Sequence, residues 1–245
     1  MVGTKMRVES AARTFHIIVA VARSANGLAA KDIAAELGLP RQVVYHLLHT
    51  LTQVQALAKG EGGLYTLGMG VMPLVGAFSR HVSPQAHLLP LVKRISAETG
   101  EMAYAAGWIG DEIMVVATAS GSNPIQATEV ALGNCGYANA RASGKLLLAL
   151  ADETQRNAFL SRNPPRKKTP ASIIDLQALG REFEHIRAQG YAIDDEEFVE
   201  GLCCLAVPLV QSGGLFALGL SAPKAVFLAN KDRYLAAAKA AAAAP

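Results

Sequence analysis

The sequence predicts an α+β fold in two unequal parts, and three observations carry that prediction. At 245 residues the chain is long for one compact domain and comfortable for two. Its hydrophobic share is 51% against 18% charged, a balance that builds a packed core rather than a disordered chain. The pattern also changes along its length. Helical periodicity punctuated by Gly and Pro runs to about residue 70, and strand-like runs alternate with helices from about residue 85. Hairpins with helices interspersed argue a mainly antiparallel sheet. The expected division is residues 1–70, a linker helix over 71–84, and a larger part over 85–245.

The elements follow in order. Ser10 is placed to cap a helix running to about Ala25, with Phe15, Ile18, Val19 and Ala22 on one apolar face. Lys31 to Leu37 forms a short second helix, closed by Gly38 as a left-handed cap. Leu39 precedes a proline and is pushed to extended geometry, while Pro40 suits the first turn of a third helix. Ala58–Gly68 reads as a β-hairpin with a Gly-rich tip. Beyond Pro84, an amphipathic segment (Gln85–Thr99) is closed by Gly100. Strand-like runs follow at Met102–Trp108 and Ile113–Ala119, turning at Gly110-Asp111. A helix spans Ser143–Leu150, Asn163–Pro170 is an exposed loop, and a further helix covers Asp175–Gln189. Strands are expected at Tyr191–Asp194, Cys204–Val210 and Leu215–Leu220, the last two joined by Ser212–Gly214. The Ala-rich end, carrying Lys231, Arg233 and Lys239, forms a terminal helix.

Several classes are excluded or disfavoured. The apolar runs are too short to span a bilayer, and the N-terminal segment has no apolar stretch of a secretory signal. The expectation is a cytoplasmic protein with no membrane partner. Cys135, Cys203 and Cys204 suggest no disulfide framework, and no Cys/His spacing fits zinc, so neither metal nor cofactor is expected. Residues 1–75 hold seven Lys/Arg and four Asp/Glu, while the remainder balances 16 against 16. The whole excess of positive charge therefore lies in the first third, beside His16, His46 and His49, which favours a polyanionic partner there.

The third helix sharpens that reading. Val44, Leu47, Leu48 and Leu51 make the buried stripe, and at 100° per residue Gln42, Tyr45, His46 and His49 fall opposite, with Arg41 in the first turn. No acid interrupts this polar face. Such side chains reach base edges and phosphates in a major groove, where Arg and Gln pair bidentately with guanine and adenine. A solvated face of an ordinary core helix would look similar. The short helix and tight turn before it, the hairpin after it and the local charge excess together make a winged helix-turn-helix. Lys31, Lys59 and Tyr65 complete the candidate set for contacting double-stranded DNA.

Longer stretches resemble the IclR-type transcriptional regulators. The N-terminal pattern follows "LAAKDIAAELGLPRQVVYHLLHTL" (Leu28–Leu51) and "LYTLG" (Leu64–Gly68). Downstream, "NARASGKLLLA" (Asn139–Ala149), "GYAIDDEEFVEGLCCLAVPL" (Gly190–Leu209) and "LGLSAP" (Leu218–Pro223) are similar to the family's C-terminal segments. The resemblance implies a DNA-binding head joined to a GAF-like effector-binding and oligomerisation domain, assembled as homodimers or tetramers. It also implies a small-molecule effector, often a carboxylate or an aromatic. Asp194, Cys204 and Ser221 match polar effector-pocket positions. Asn139, Ala140, Ser143 and Gly144 lie at the mouth of a helix whose N–H groups can hold a carboxylate, and Arg141 is a candidate for anion pairing. This chain departs from the pattern at Val43, His46 and Thr66, where relatives commonly carry Thr, Arg and Arg, and at Gly219, where a second Ser sometimes stands.

Blander roles compete at each position. Cys204 in an apolar strand is as well explained as a core thiol, Ser143 as a helix cap, and Asp194–Glu197 as a solvated charge run. Two other functions remain to be weighed. One is a hydrolase using Ser143 with Lys145, or Cys204, as nucleophile. Against it, His185 is the only histidine beyond residue 90, and adjacent cysteines on a strand point to opposite faces. The other is a DNA-binding protein without an effector.

Overall fold

The structure, a computed structural model, describes residues 8–24, 26–81, 87–123, 133, 136–211 and 214–243. Lys5, Arg7, Gln85, Cys135 and the first two residues of the Ser212–Gly214 turn lie outside the described residues. The chain divides into two compact units, Met1–Ser83 and Pro84–Pro245.

The first unit opens with α1 (Glu9–Arg23), β1 (Leu28–Ala29), α2 (Ala30–Leu37) and α3 (Arg41–Gln53). The wing follows as β2 (Leu57–Lys59) and β3 (Leu64–Leu67), and then comes α4 (Met72–His81). Gly38 adopts φ 62°, a left-handed conformation in which a Cβ is strained, so the turn between α2 and α3 is set where the sequence predicts it. Pro40 sits one place before the helix, as its N-cap. The first helix differs from expectation in two ways. Val8, not Ser10, precedes it, and Ile17, Ala20 and Val21 are buried while Phe15 is 64% exposed. "FHIIVAVA" is apolar around most of the helix, so periodicity alone does not choose the inward stripe; contact with α2, α3 and the wing does. β1 escaped the sequence reading because two residues carry no pattern. It pairs with β3, Leu28 opposite Tyr65.

The second unit begins with α5 (Leu88–Thr99), β4 (Met102–Ile109) and β5 (Glu112–Ala119). After them come α6 (Ala142–Leu150), α7 (Glu153–Arg162), α8 (Leu176–Gln189), β6 (Ala192–Asp195), β7 (Leu202–Gln211), β8 (Gly214–Pro223) and α9 (Lys224–Ala242). The five strands lie in the order β5-β4-β8-β7-β6, every pair antiparallel. Leu205, Val207, Leu218 and Leu220 face one way and cluster with residues of α5 and α9, including Leu88, Ile95, Phe227 and Tyr234. On the other face, small residues (Ala106, Ala192, Ala206, Ala217) pack with Leu146 and Leu147 of α6, and Phe183 and Ile186 of α8. The helix α7 was not anticipated. Its one buried residue is Phe159, too few for a periodic stripe, and its start is fixed instead by Asp152, whose side chain accepts the Gln155 N–H at 2.8 Å.

Close approach on the small-residue face is enforced by two glycines. A Cβ on Gly144 would come within 2.4 Å of the Ala138 carbonyl oxygen, and one on Gly219 within 2.2 Å of that of Leu205. Backbone atoms cannot yield as a side-chain tip can. Gly144→Ala is therefore expected to destabilise the second unit by about 1–3 kcal/mol, the usual cost of overpacking, read as a lower urea midpoint with unchanged slope. An unaltered midpoint would show that α6 does not sit this close to the turn before it.

Candidate functional site

Two sites emerge, one in each unit. In the first, Val44, Leu48 and Leu51 of α3 are buried with Ile17, Ile33 and Leu57. That leaves Arg41, Gln42, Tyr45, His46 and His49 exposed on the opposite side. The amphipathic division drawn from periodicity is the physical one. Between α3 and the wing runs a groove of about 730 Å³ lined by Tyr45, His46, His49, Thr50, Thr52, Lys59 and Tyr65. None of these is acidic, and Lys31 is also exposed, on α2. Tyr65 requires a correction. It is only 7% exposed and belongs to the core, because β3 is the central strand between β1 and β2. Its ring is the floor of the groove, under the Lys59 ammonium 5.8 Å from its centroid; it does not reach outward.

The second site lies on the small-residue face of the sheet. Strand register sets Asp194 opposite Cys204 and Cys204 opposite Ser221. Two residues along, Ala206 stands opposite Gly219 and Gly219 opposite Tyr104. Beneath the start of α6 these leave a small cavity of about 20 Å³, room for about one water. Its walls are Tyr104, Val115, Arg141, Ala142, Ser143, Asp194, Phe198 and Cys204.

Of the sequence-predicted pocket residues, Arg141, Ser143, Asp194 and Cys204 meet at this cavity. Gly144 borders an adjacent recess with Arg141 and Ser143. Asn139, Ala140 and Ser221 do not line it. Ala140 is fully buried. Ser221 is fully buried and accepts the Cys204 thiol hydrogen at 3.2 Å. Asn139 turns away, its amide donating to the carbonyls of Arg166 and Ile173. Nor does Ser143 cap α6: Arg141 is the N-cap and no side-chain cap hydrogen bond is made, while Ser143 is buried and shares the cavity wall with Tyr104.

The run Asp194–Glu197 is not a solvated charge run throughout. Glu196 adopts φ 58°, and this left-handed turn sends its neighbours to different environments. Asp195 and Glu196 meet the Lys224 ammonium at 2.9 and 3.3 Å. Asp194 is 2% exposed, and its Oδ1 accepts the N–H groups of Glu197 at 2.7 Å and Phe198 at 3.2 Å. Burial raises its pKa to about 6, against the lowering effect of those hydrogen bonds and of Lys145. Glu197 is also buried, and burial lifts its carboxyl to about 7 despite the neighbouring ammonium of Lys145. That ammonium is 1% exposed and held between Glu197 and Glu182, the latter at 2.9 Å.

These surroundings dispose of the nucleophile readings. Lys145 is an ion-paired cation, not a free base for Ser143. The Cys204 thiol is pushed well above its ordinary range by burial and by Asp194, and that of Cys203 to about 12 by burial and its hydrogen bond to Asp195. Protonated thiols are poor nucleophiles. The two cysteines do face opposite sides of the sheet, Cys203 with the α5–α9 cluster and Cys204 with the α6–α8 cluster.

Sequence reasoning missed Tyr104, Phe198 and the Lys145 clamp. Tyr104 carried a faint signal as the one large polar side chain in "MAYAAGWI". Its ring lies over Gly219, where a Cβ would be 2.9 Å from the phenol oxygen. A serine there is excluded by the Leu205 carbonyl oxygen, 2.2 Å from that Cβ, as well as by the tyrosine.

A winged helix-turn-helix with an acid-free outer helix face, joined in one chain to a unit with a small, mostly apolar cavity edged by Arg141, Ser143 and Asp194, defines a two-domain DNA-binding regulator. Residues 10–61 match the IclR helix-turn-helix domain, and residues 80–245 match the family described as bacterial transcriptional regulator IclR C-terminal. The chain belongs to the IclR family of transcriptional regulators. It is 28% identical over 214 residues to the Pca regulon regulatory protein of Pseudomonas putida, covering 86% of this chain and 73% of that one. It is 30% identical over 200 residues to the regulator BhcR of Paracoccus denitrificans, covering 80% and 70%. It is 24% identical over 226 residues to the repressor AllR of Escherichia coli, covering 91% and 82%. An IclR-family regulator from Brucella abortus shares the fold with a TM-score of 0.78 at 20% identity, over 97% of this chain and 91% of that one. An IclR homologue from Microbacterium hydrocarbonoxydans complexed with 4-hydroxybenzoate gives 0.64 at 20% identity, over 96% and 100%. The protein is thus a DNA-binding transcriptional regulator and not an enzyme. Among the described residues no helix is long and apolar enough to cross a membrane, and no group of His, Cys, Asp or Glu is arranged to hold a metal.

Two buried carboxyls with raised pKa values make stability depend on pH in a definite direction. A carboxyl whose pKa is higher folded than unfolded holds its proton more tightly in the folded state. Its contribution is fully present below the unfolded pKa and is lost as pH rises through the folded one. The thermal midpoint is expected to fall between pH 5 and pH 8, and Asp194→Asn to make that fall shallower through about pH 6. A variant as steep as the wild type would place Asp194 in a wetter setting. Lys145→Met is expected to cost about 3–5 kcal/mol by leaving two carboxylates facing each other, measured by urea unfolding at pH 7.5.

Proposed function

We propose that the chain is a ligand-responsive repressor that acts in the cytoplasm as a homo-oligomer and senses a small organic acid, aliphatic or aromatic. The observation that carries the effector reading is the cavity itself. It brings a guanidinium (Arg141), hydroxyls (Tyr104, Ser143), a carboxyl (Asp194) and an aromatic ring (Phe198) to one point on a rigid sheet. Arg141 supplies charge-assisted donors for a carboxylate. Asp194 is the acceptor for a hydroxyl or other donor at the ligand's far end. The cavity must widen to admit such a molecule, and a site that opens for its ligand has the differential affinity that couples binding to a conformational change. The 4-hydroxybenzoate bound to a structural neighbour and the relative named as a repressor lend support.

DNA recognition is assigned to α3 and the wing. Arg41 and Gln42 in the first turn read base edges, Tyr45, His46 and His49 extend the contact, and Lys31 and Lys59 meet phosphate. In a dimer two such helices enter successive major grooves of a pseudo-palindrome. Effector and DNA affinities are then linked reciprocally. With Val43 and His46 in α3, the operator is not to be taken from relatives.

Two measurements test this. In a mobility-shift assay on the DNA flanking its own gene, Arg41→Ala or Gln42→Ala should weaken binding by about 1–3 kcal/mol if the lost contact is bidentate. Unchanged binding removes α3 from the interface. In a thermal-shift screen of small carboxylates, wild type should be stabilised by at least one acid that leaves Arg141→Gln unmoved; a panel with no effect on wild type would defeat the effector reading.

A further inference from the structure

The loop between α7 and α8, "NPPRKKTP" (Asn163–Pro170), carries three consecutive cations, and no acid occurs from Asn163 to Ile174. An exposed basic loop normally needs no explanation. This one is fastened from beneath by buried groups. Asn139, 4% exposed, donates to the carbonyls of Arg166 and Ile173 at 3.0 and 2.9 Å and accepts the Arg166 N–H at 3.3 Å. The Ser172 hydroxyl accepts the N–H groups of Lys168 and Thr169, both at 2.9 Å, and donates to the Glu197 carbonyl at 2.6 Å. Thr169 donates to the Glu196 carbonyl at 2.7 Å. The loop is therefore locked to the same turn that carries Asp194 and Phe198.

What this places is Lys168. Its ammonium lies 5.3 Å from the Phe198 ring centroid and 5.5 Å from that of Tyr137, while the Arg141 guanidinium lies 4.3 Å from Phe198. Two cations share one ring, and that ring and Arg141 both line the cavity. Among the described residues no acid forms an ion pair with Lys168, and the residues before it, Arg166 and Lys167, have the same sign. Like charges held together by a rigid frame lower the free energy of an anion bridging them.

We propose that Lys168 is a second anion subsite at the mouth of the effector cavity, so that the ligand is a dicarboxylate: one carboxylate meets Arg141 inside and the other meets Lys168 at the rim. This rests on the effector reading above, and the test separates the two. Isothermal titration of the full chain uses acids differing only by a second carboxylate: butyrate against glutarate, and benzoate against terephthalate. In at least one pair the diacid is expected to bind about fivefold tighter or more, the range of one well-placed charge pair. Lys168→Gln should bring that diacid down to the monoacid's affinity and leave the monoacid within about twofold. Lys167→Gln, which alters the loop's charge equally without touching Phe198, should retain the preference; loss in both variants would mean general attraction rather than a subsite. Diacids and monoacids binding alike in both pairs would overturn the subsite and spare the effector reading. No binding of any of the four acids to wild type would overturn both.

Discussion

A single ammonium holds the cavity-bearing face of the second unit together. Lys145 enters from the first turns of α6 and is taken wholly out of water, between Glu182 of α8 and Glu197 of the turn after β6. A buried charge is tolerated only when it is paired and hydrogen-bonded, so these three segments have to meet there. Once Glu197 is drawn inward, the N–H groups of Glu197 and Phe198 fall on the Asp194 carboxylate, and the Phe198 ring comes to the cavity wall. Thr169 and Ser172 then bind the carbonyls of the same turn, which carries the constraint on to the basic loop. Removing the charge would leave the apolar core much as it is and scatter the polar groups that surround the cavity.

The sheet divides its labour by residue size. Toward α5 and α9 it presents Leu and Val, filling space. Toward α6 it presents Ala and Gly, which let a helix approach closely and leave room near its start. Into that room β4 sends one large group, Tyr104, which shares the cavity wall with Ser143 and lies over Gly219. Cavity shape is thus a property of pairs across strands, and each small residue is intelligible only with the large one opposite.

The head follows a simpler logic. Its helices α1, α2 and α3 and the strands β1, β2 and β3 bury one compact cluster, and α3 gives that cluster Val44, Leu48 and Leu51 while keeping every polar side chain outside. Because the exposed polar side chains and the core side chains occupy opposite faces of one helix, the polar face can vary with little effect on stability.

What the sequence alone determined were features encoded locally. Gly38 and Pro40 punctuate the turn before α3, Gly100 and Gly190 end helices, strand-like runs turning at Gly110-Asp111 mark β4 and β5, and a 3.6-residue period separates the buried and open sides of α3. Each depends on neighbours a few residues away, so it is legible in one dimension. The inward stripe of α1, the two-residue β1, the sparse α7 and the core placement of Tyr65 were decided by tertiary contact, since their local patterns are ambiguous or absent. The cavity is the extreme case. Asp194, Cys204, Ser143 and Arg141 were identified individually, but which of them face one another depended on strand register and on where a buried ammonium found its carboxylates. Tyr104 is 115 residues from Gly219 in the chain, and Lys145 is 52 from Glu197. Nothing in either segment specifies the other; only the folded chain, where burial makes an unpaired charge or an empty space costly, brings them to one place.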